Sequence, residues 1–291
     1  MANLKELRIR IGSVKNTRKI TAAMAQIAAA RLRKAQNAVS AAAPYGTRMA
    51  EVMAHLVAGI KENERAAAHP LLGAREVKGV SIIAMTADRG LCGGFNSGIN
   101  RGAQRMIADE REAGRTVELT VVGLKAAAYF KHFGEDIEGR EHLAPTLETV
   151  VELSKTVAKE AVAAFSSGRI DKVVLVYNKF VSVLTQDVTP ATLIPVSPDE
   201  SVGDSIEPTF EPNRGAILEH LVPVAIESQI QQAMFNSIAS EIAARRVAMD
   251  AATDNAGELI ADLTLVYNRE RQAAITTELM EIIGGSEALK G

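Results

Sequence analysis

Gly90-Leu91-Cys92-Gly93-Gly94 stands where a β-rich run, Val77 to Met85, gives way to a helical pattern headed by Phe95. Glycines at such a turn let backbone N–H groups approach a phosphate at a helix N-terminus. The run lacks the Gly-Lys-Ser/Thr ending of a P-loop and is not Gly-x-Gly-x-x-Gly, so a tight structural turn competes with a nucleotide site and is the favoured reading. Cys92, at the helix start, could be an activated thiol; no histidine is near it in sequence, and a buried neutral thiol is the simpler expectation. His55, His69, His132, His142 and His220 show no metal-ligand spacing. Glu278 and Glu281 lie on adjacent helical turns like an acid/base pair, although paired helix carboxylates are usually a solvated face. Arg245-Arg246 has the same plain alternative, but Arg245 falls on an apolar seam, and Met24 falls beside one, where a core filler and a partner contact are both open readings.

The elements that carry these residues are mostly long helices. From Phe235 to Val266 the residues Phe235, Ile238, Ile242, Arg245, Met249, Ala252, Ala256, Leu259, Leu263 and Val266 recur at alternating steps of three and four, the seam of a coiled coil. The pattern predicts a helix from Asn213, a plausible N-cap, to near Gly284, roughly 100 Å long at the helical rise. Pro223 threatens a kink or a fresh start. Thr253-Asp254-Asn255-Ala256-Gly257 would ordinarily signal a turn, but the seam keeps its phase across it, which predicts a continuous helix.

A second seam, Leu7, Ile11, Val14, Arg18, Thr21, Ala25, Ala28, Leu32, Ala35 and Val39, predicts an N-terminal partner helix. Ile20, Met24 and Ile27 make another stripe that one partner cannot cover. Pro44 is expected to kink or interrupt this helix, which should end before His69-Pro70. Between the helices the period changes: strands at Val77 to Met85, Thr116 to Val122, Lys172 to Tyr177 and Gln186 to Val196 alternate with helices, and Pro190 and Pro195 suggest an edge position for the last strand. The expected fold is α/β: a long antiparallel coiled coil of N- and C-terminal helices with an inserted Rossmann-like, mostly parallel α/β domain. Its divisions are 1–69, the N-terminal coiled-coil helix; 70–196, the inserted domain; 197–213, an acidic loop; and 214–291, the C-terminal helix.

Composition narrows the partners. The 291 residues carry a formal net charge of −2 and only 4% aromatics, so a generally basic nucleic-acid binder is disfavoured, although the basic N-terminal helix keeps open a coiled-coil adaptor or nucleic-acid arm. That Arg-rich helix continues its pattern without a cleavage-like break, unlike a transit peptide. The single cysteine excludes an intrachain disulfide. No run approaches 18 apolar residues, so no direct membrane insertion is expected. An insertion between two long helices requires them to run antiparallel, and the C-terminal one is longer by about 15–20 residues, roughly 25–30 Å of tip. Ala274, Ile275, Leu279, Met280, Ile282 and Ile283 lie on that tip and need an enclosing surface.

Three stretches in collinear order resemble the gamma subunit of the rotary, F-type ATP synthase of bacteria. Ile20-Thr21-Ala22-Ala23-Met24 with Ala30-Arg31-Leu32-Arg33-Lys34-Ala35 is similar to that family's N-terminal helix, and Thr86 to Asn96 is similar to its first strand-to-helix turn. Ala248 to Ala256 and Arg269 to Leu279 are similar to its C-terminal helix, with Gly285-Ser286 standing where the family has Gly-Ala. The resemblance implies a central-stalk rotor that is not itself catalytic, turned by a membrane c-ring and driving conformational cycling of beta-subunit sites. Its implied partners are the alpha and beta subunits, an epsilon-type subunit and the c-ring, at the cytoplasmic face of the inner membrane. Mg-ATP and Mg-ADP would be bound by partner subunits and no cofactor or metal by this chain. By motif position it implies contact with the alpha/beta ring at Met24, Arg31, Arg33, Arg245, Arg271, Gln272, Thr276 and Glu278.

Overall fold

Alanine-rich sequence favours helix throughout both ends of the chain. The computed structural model describes residues 2–58, 60–197, 211 and 213–288. In chain order, α1 spans Ala2–Val57; short 3-10 turns at Glu62–Glu64 and Pro70–Leu72 flank a four-residue α2, Arg65–Ala68. β1 (Gly79–Met85), α3 (Phe95–Glu112), β2 (Thr116–Val122), α4 (Leu124–His132), β3 (Glu141–His142), α5 (Val150–Ser166), β4 (Lys172–Phe180) and β5 (Gln186–Ile194) follow, and α6 closes the chain at Arg214–Ala288. The acidic stretch expected over 197–213 lies almost wholly outside the described residues.

Neither proline interrupts its helix. Pro44 and Ser40, whose carbonyl loses its partner, are both exposed, so water can satisfy that group. α6 likewise runs through Pro223 and across the turn-like run at Thr253–Gly257. Its start is fixed as expected, with Asn213 Oδ1 accepting from Ala216 N at 2.8 Å. α1 ends at Val57, well before His69-Pro70: the next residues, Ala58-Gly59, include a type that readily ends helices, and the apolar rhythm behind the longer estimate stops at Leu56.

Two compact units divide the chain. One comprises residues 29–245. Its five-stranded sheet has the order β3-β2-β1-β4-β5, with β1 to β4 parallel and β5 antiparallel on the edge. This is the doubly wound arrangement, with its switch point between β1 and β4. β1 is buried along its whole length, as a central parallel strand must be. One face packs α3 and α4 through Phe95, Ile99, Ala103 and Phe130; the other packs α5, the end of α1 and the start of α6 through Leu56, Val157, Phe165, Leu218 and Ile226. β3 escaped the sequence reading because two residues are too few for any period.

The other unit comprises residues 1–28 and 246–291. Here α1 and α6 pair antiparallel: Arg8 Nη2 donates to the Tyr267 hydroxyl at 3.2 Å, and the Thr21 and Thr253 hydroxyls meet at 2.7 Å. Thr253 Oγ1 donates to Met249 O, and Gly257 faces Arg18, where a Cβ would make ordinary van der Waals contact with the guanidinium carbon at 3.7 Å. Within the turn-like run Thr253 and Ala256 serve the pair, one by its hydroxyl contact and the other by burial. On α1 the expected seam holds, with Thr21, Ala25 and Ala28 buried and Leu7, Ile11 and Val14 partly so, although Arg18 is exposed. On α6 it shifts: Met249, Ala256 and Leu263 are buried, but Leu259 and Val266 are 40% and 47% exposed, and Thr253, Ile260 and Tyr267 take the inward flank. An α-helix of 3.6 residues per turn drifts against a strict seven-residue repeat, which accounts for a one-residue slip over this length.

Candidate partner-contact site

The register of the pair decides what α6 leaves uncovered. Extended from Arg8 opposite Tyr267, it sets Ala2 opposite Ala273, so the helix beyond has no partner on α1. In that stretch Ile275, Leu279, Met280, Ile282 and Ile283 are all between 49% and 68% exposed. Arg271, Gln272, Thr276 and Glu278 are exposed among them. At 100° per residue, Arg271 and Glu278 share one side of the helix while Gln272 and Thr276 share another, so contacts to all four require a partner on more than one side. Thr276 Oγ1 donates to Gln272 O at 2.9 Å, leaving its methyl group and lone pairs outward. Glu281 is also exposed, in keeping with a solvated face rather than an acid/base pair.

Met24 is half-buried beside the α1 seam, between the exposed Ile20 (61%) and Ile27 (54%). The second stripe read from the sequence is therefore present and open. By the register, Met24 lies about twenty residues, roughly 30 Å, along the pair from Arg271, so the two are not brought together. Arg31 and Arg33 are exposed on either side of the buried Leu32.

Arg245 is placed differently, as part of a latch within the larger unit. Its Nη1 donates to Gly90 O at 2.7 Å, its Nε donates to Glu241 Oε1 at 3.0 Å, and Nη2 reaches the same carboxylate. Arg245 and Glu241 side chains are each only 18% exposed. Sequence reasoning identified the arginine and, separately, the Gly90 turn, but neither Glu241 nor the bond between Arg245 and Gly90; the i, i+4 spacing of Glu241 and Arg245 was the available signal.

The latch completes the turn around Gly90 to Gly94. Asn96 Oδ1 accepts from Ala87 N at 2.9 Å while its Nδ2 donates to Arg89 O at 3.2 Å. Asp88 Oδ1 accepts from Leu124 N and Ala144 N, and Thr86 Oγ1 accepts from Ala126 N. Gly123, at φ 103°, lets α4 begin against Thr86, whose carbonyl oxygen would lie 2.4 Å from any Cβ. Where doubly wound sheets receive nucleotides, at the C-terminal ends of the strands beside the switch point, α6 lies across β4 instead: Asn236 Oδ1 accepts from Phe180 N at 3.2 Å and Ser240 Oγ donates to Asn178 O at 3.1 Å. These bonds tie the turn to its own chain and favour the structural reading over a phosphate cradle. Cys92 is buried there, and burial first, then the Glu241 charge, pushes its thiol above the ordinary range. It is a poor nucleophile at neutral pH.

Among the described residues no group of three or more His, Cys, Asp or Glu side chains is set to hold a metal, and no helix is long and apolar enough to cross a membrane. The ATP synthase family model matches residues 3–289. Over their full lengths, the chain is 41% identical to the ATP synthase gamma chain of Geobacter sp. (strain M21) and 40% identical to that of Sorangium cellulosum (strain So ce56). Its fold is similar to a chain of the Euglena gracilis mitochondrial ATP synthase OSCP/F1/c-ring assembly, with a TM-score of 0.66 at 19% identity over 99% of this chain and 95% of that one. A chain from the central stalk/c-ring assembly of the Tetrahymena thermophila mitochondrial enzyme gives a TM-score of 0.61 at 21% identity, covering 80% and 99%.

Proposed function

Because this chain belongs to the ATP synthase gamma-chain family, we propose that it works as the central-stalk rotor of a proton-translocating ATP synthase, coupling rotation of a membrane c-ring to conformational cycling of catalytic sites on beta subunits. The observation that carries the mechanical part is the far end of α6, a single helix with apolar side chains exposed on several sides past the position opposite Ala2, the first residue of α1. An exposed apolar surface of that kind is stable when a sleeve encloses it. Aliphatic contacts are non-directional and allow turning, whereas Arg271 and Glu278 form charge pairs that depend on angle. Torque is then a difference in affinity between rotor positions for the states of each beta subunit.

On this reading the chain has no catalytic site or cofactor of its own, and Mg-ATP and Mg-ADP belong to the alpha and beta subunits. Met24, Arg31, Arg33, Arg271, Gln272, Thr276 and Glu278 are the ring contacts. Arg245 enters that set through the latch, by holding the turn at Gly90 in shape. An epsilon-type subunit and the c-ring complete the partner set, at the cytoplasmic face of a bacterial inner membrane and without insertion of this chain. Mixed with the matching alpha and beta subunits, the chain should enter a particle with one copy per three of each; failure to co-purify overturns the assignment. Deleting the residues after Val266 should leave the sheet-containing unit folded while coupled ATPase activity falls, and normal coupling in that variant would remove the role given to the tip.

A further inference from the structure

On the face of β1 and β2 that α5 covers, a cavity of about 380 Å³ opens between helix and sheet. α5 contributes Val157 and the small side chains of Ala161 and Ala164 to its lining. Its floor is polar. Ser81 pairs with Glu118 and Ile83 with Thr120 in the parallel register, which sets the two hydroxyl residues on neighbouring strands. Ser81 is 4% and Thr120 7% exposed, both line the cavity, and neither hydroxyl has a hydrogen-bond partner among the described residues. Neither hydroxyl is sealed from solvent: both open into the same space and offer their lone pairs to whatever occupies it.

The rim defines what that occupant must be. Arg169 donates from Nε and Nη2 to Glu118, at 3.0 and 3.3 Å. Arg140 donates from Nε to Leu119 O at 3.1 Å and from Nη2 to Asp136 O at 2.7 Å. The guanidinium donors are therefore largely engaged by the protein. Acceptors remain: the two hydroxyls, Glu138, and Glu160, of which one oxygen meets His142 Nε2 at 2.9 Å. Three lining carboxylates, Glu118, Glu138 and Glu160, outnumber the two guanidiniums, Arg140 and Arg169, so the cavity favours a cation rich in N–H donors over an anion. A bare metal ion does not suit it, since no metal-binding group of side chains is present among the described residues.

We propose that this cavity is a binding site for a small organic ammonium, a primary amine or short polyamine, with Ser81, Thr120 and Glu160 as its acceptors. Nothing in the rotor reading requires or predicts it. Isothermal titration of the full chain with putrescine and with spermidine, and separately with inorganic phosphate, tests the site. The expected result is saturable one-to-one binding of amine, weakened about tenfold in T120V and in E160Q and unchanged in E270Q, a substitution on exposed helix far along the chain. T120V keeps the shape of the side chain and Glu160 is 44% exposed, so both variants should fold, and thermal unfolding of each verifies it. Absence of saturable amine heat overturns the proposal; so does equal binding by all variants, which marks diffuse charge attraction, or binding of phosphate in place of amine.

Discussion

The same helix lives two different lives in the two units. Within residues 29–245, α6 closes off Leu218, Val222, Ile226, Ile230, Met234, Ala239 and Ala243, and even Ser237 and Ser240 are buried. From Arg246 onward, among the described residues, only Met249, Ala256 and Leu263 fall below a tenth of their surface, while Leu265, Val266 and five large apolar residues beyond Ala273 are half exposed or nearly so. Sequence hydrophobicity does not fall to match. The difference teaches that apolar residues in the first stretch are explained by the fold, and those in the last stretch are explained only by an assembly.

The contrast breaks or sharpens under substitution. Phe130→Ala, at 1% exposure in the sheet core, should destabilise its unit by about 3–5 kcal/mol in urea unfolding, while Leu263→Ala, at 8% exposure on the pair, should cost about 2 kcal/mol and leave the sheet intact. A larger effect at Leu263 would mean that the pair is more tightly packed than its exposure indicates. Arg245→Gln should cost about 2 kcal/mol, because it leaves Glu241 uncompensated and Gly90 O without its donor. Arg245→Lys should recover only part of that in the same measurement, since an ammonium cannot bridge both groups as the guanidinium fork does.

A smaller effect comes from Cys92, whose folded-state ionisation is raised by burial and then by Glu241. Its contribution to stability is fully present below the ordinary thiol value of 9.0 and is lost as pH rises through the folded value, because the unfolded thiol ionises first. The stability of Cys92→Ala should therefore decline less than that of the parent above pH 9.0 in a pH series of thermal melts. Ile282→Ser on the tip should change the stability of the isolated chain by no more than about 0.5 kcal/mol, yet weaken co-purification with the ring.

Much of this architecture was legible from residues. Asn213 announced the start of α6, the phase of Met249 and Ala256 carried the helix across a turn-like run, and the four long strands lay where β-branched residues concentrated. Other features depend on tertiary context. Leu259 and Val266 satisfied a seven-residue repeat but face outward, because the register of the partner selects the inner flank and sequence spacing alone leaves two flanks open. The latch joins Arg245 to Gly90, 155 positions apart, and no local pattern encodes such a pairing. For Met24, Arg31, Arg33 and the residues of the tip, the fold explains why they are open to contact; which surface meets them is a property of the assembly.

The most direct test is the accessibility of the tip. In a Cys92→Ala background, Ile282→Cys should react with a maleimide in the isolated chain at the rate of an unstructured peptide, as expected from the 68% exposure of Ile282. After assembly with matching alpha and beta subunits the same thiol should be strongly protected. Equal labelling rates in the free chain and in the assembled particle would contradict the claim that this helix end is sheathed by the ring.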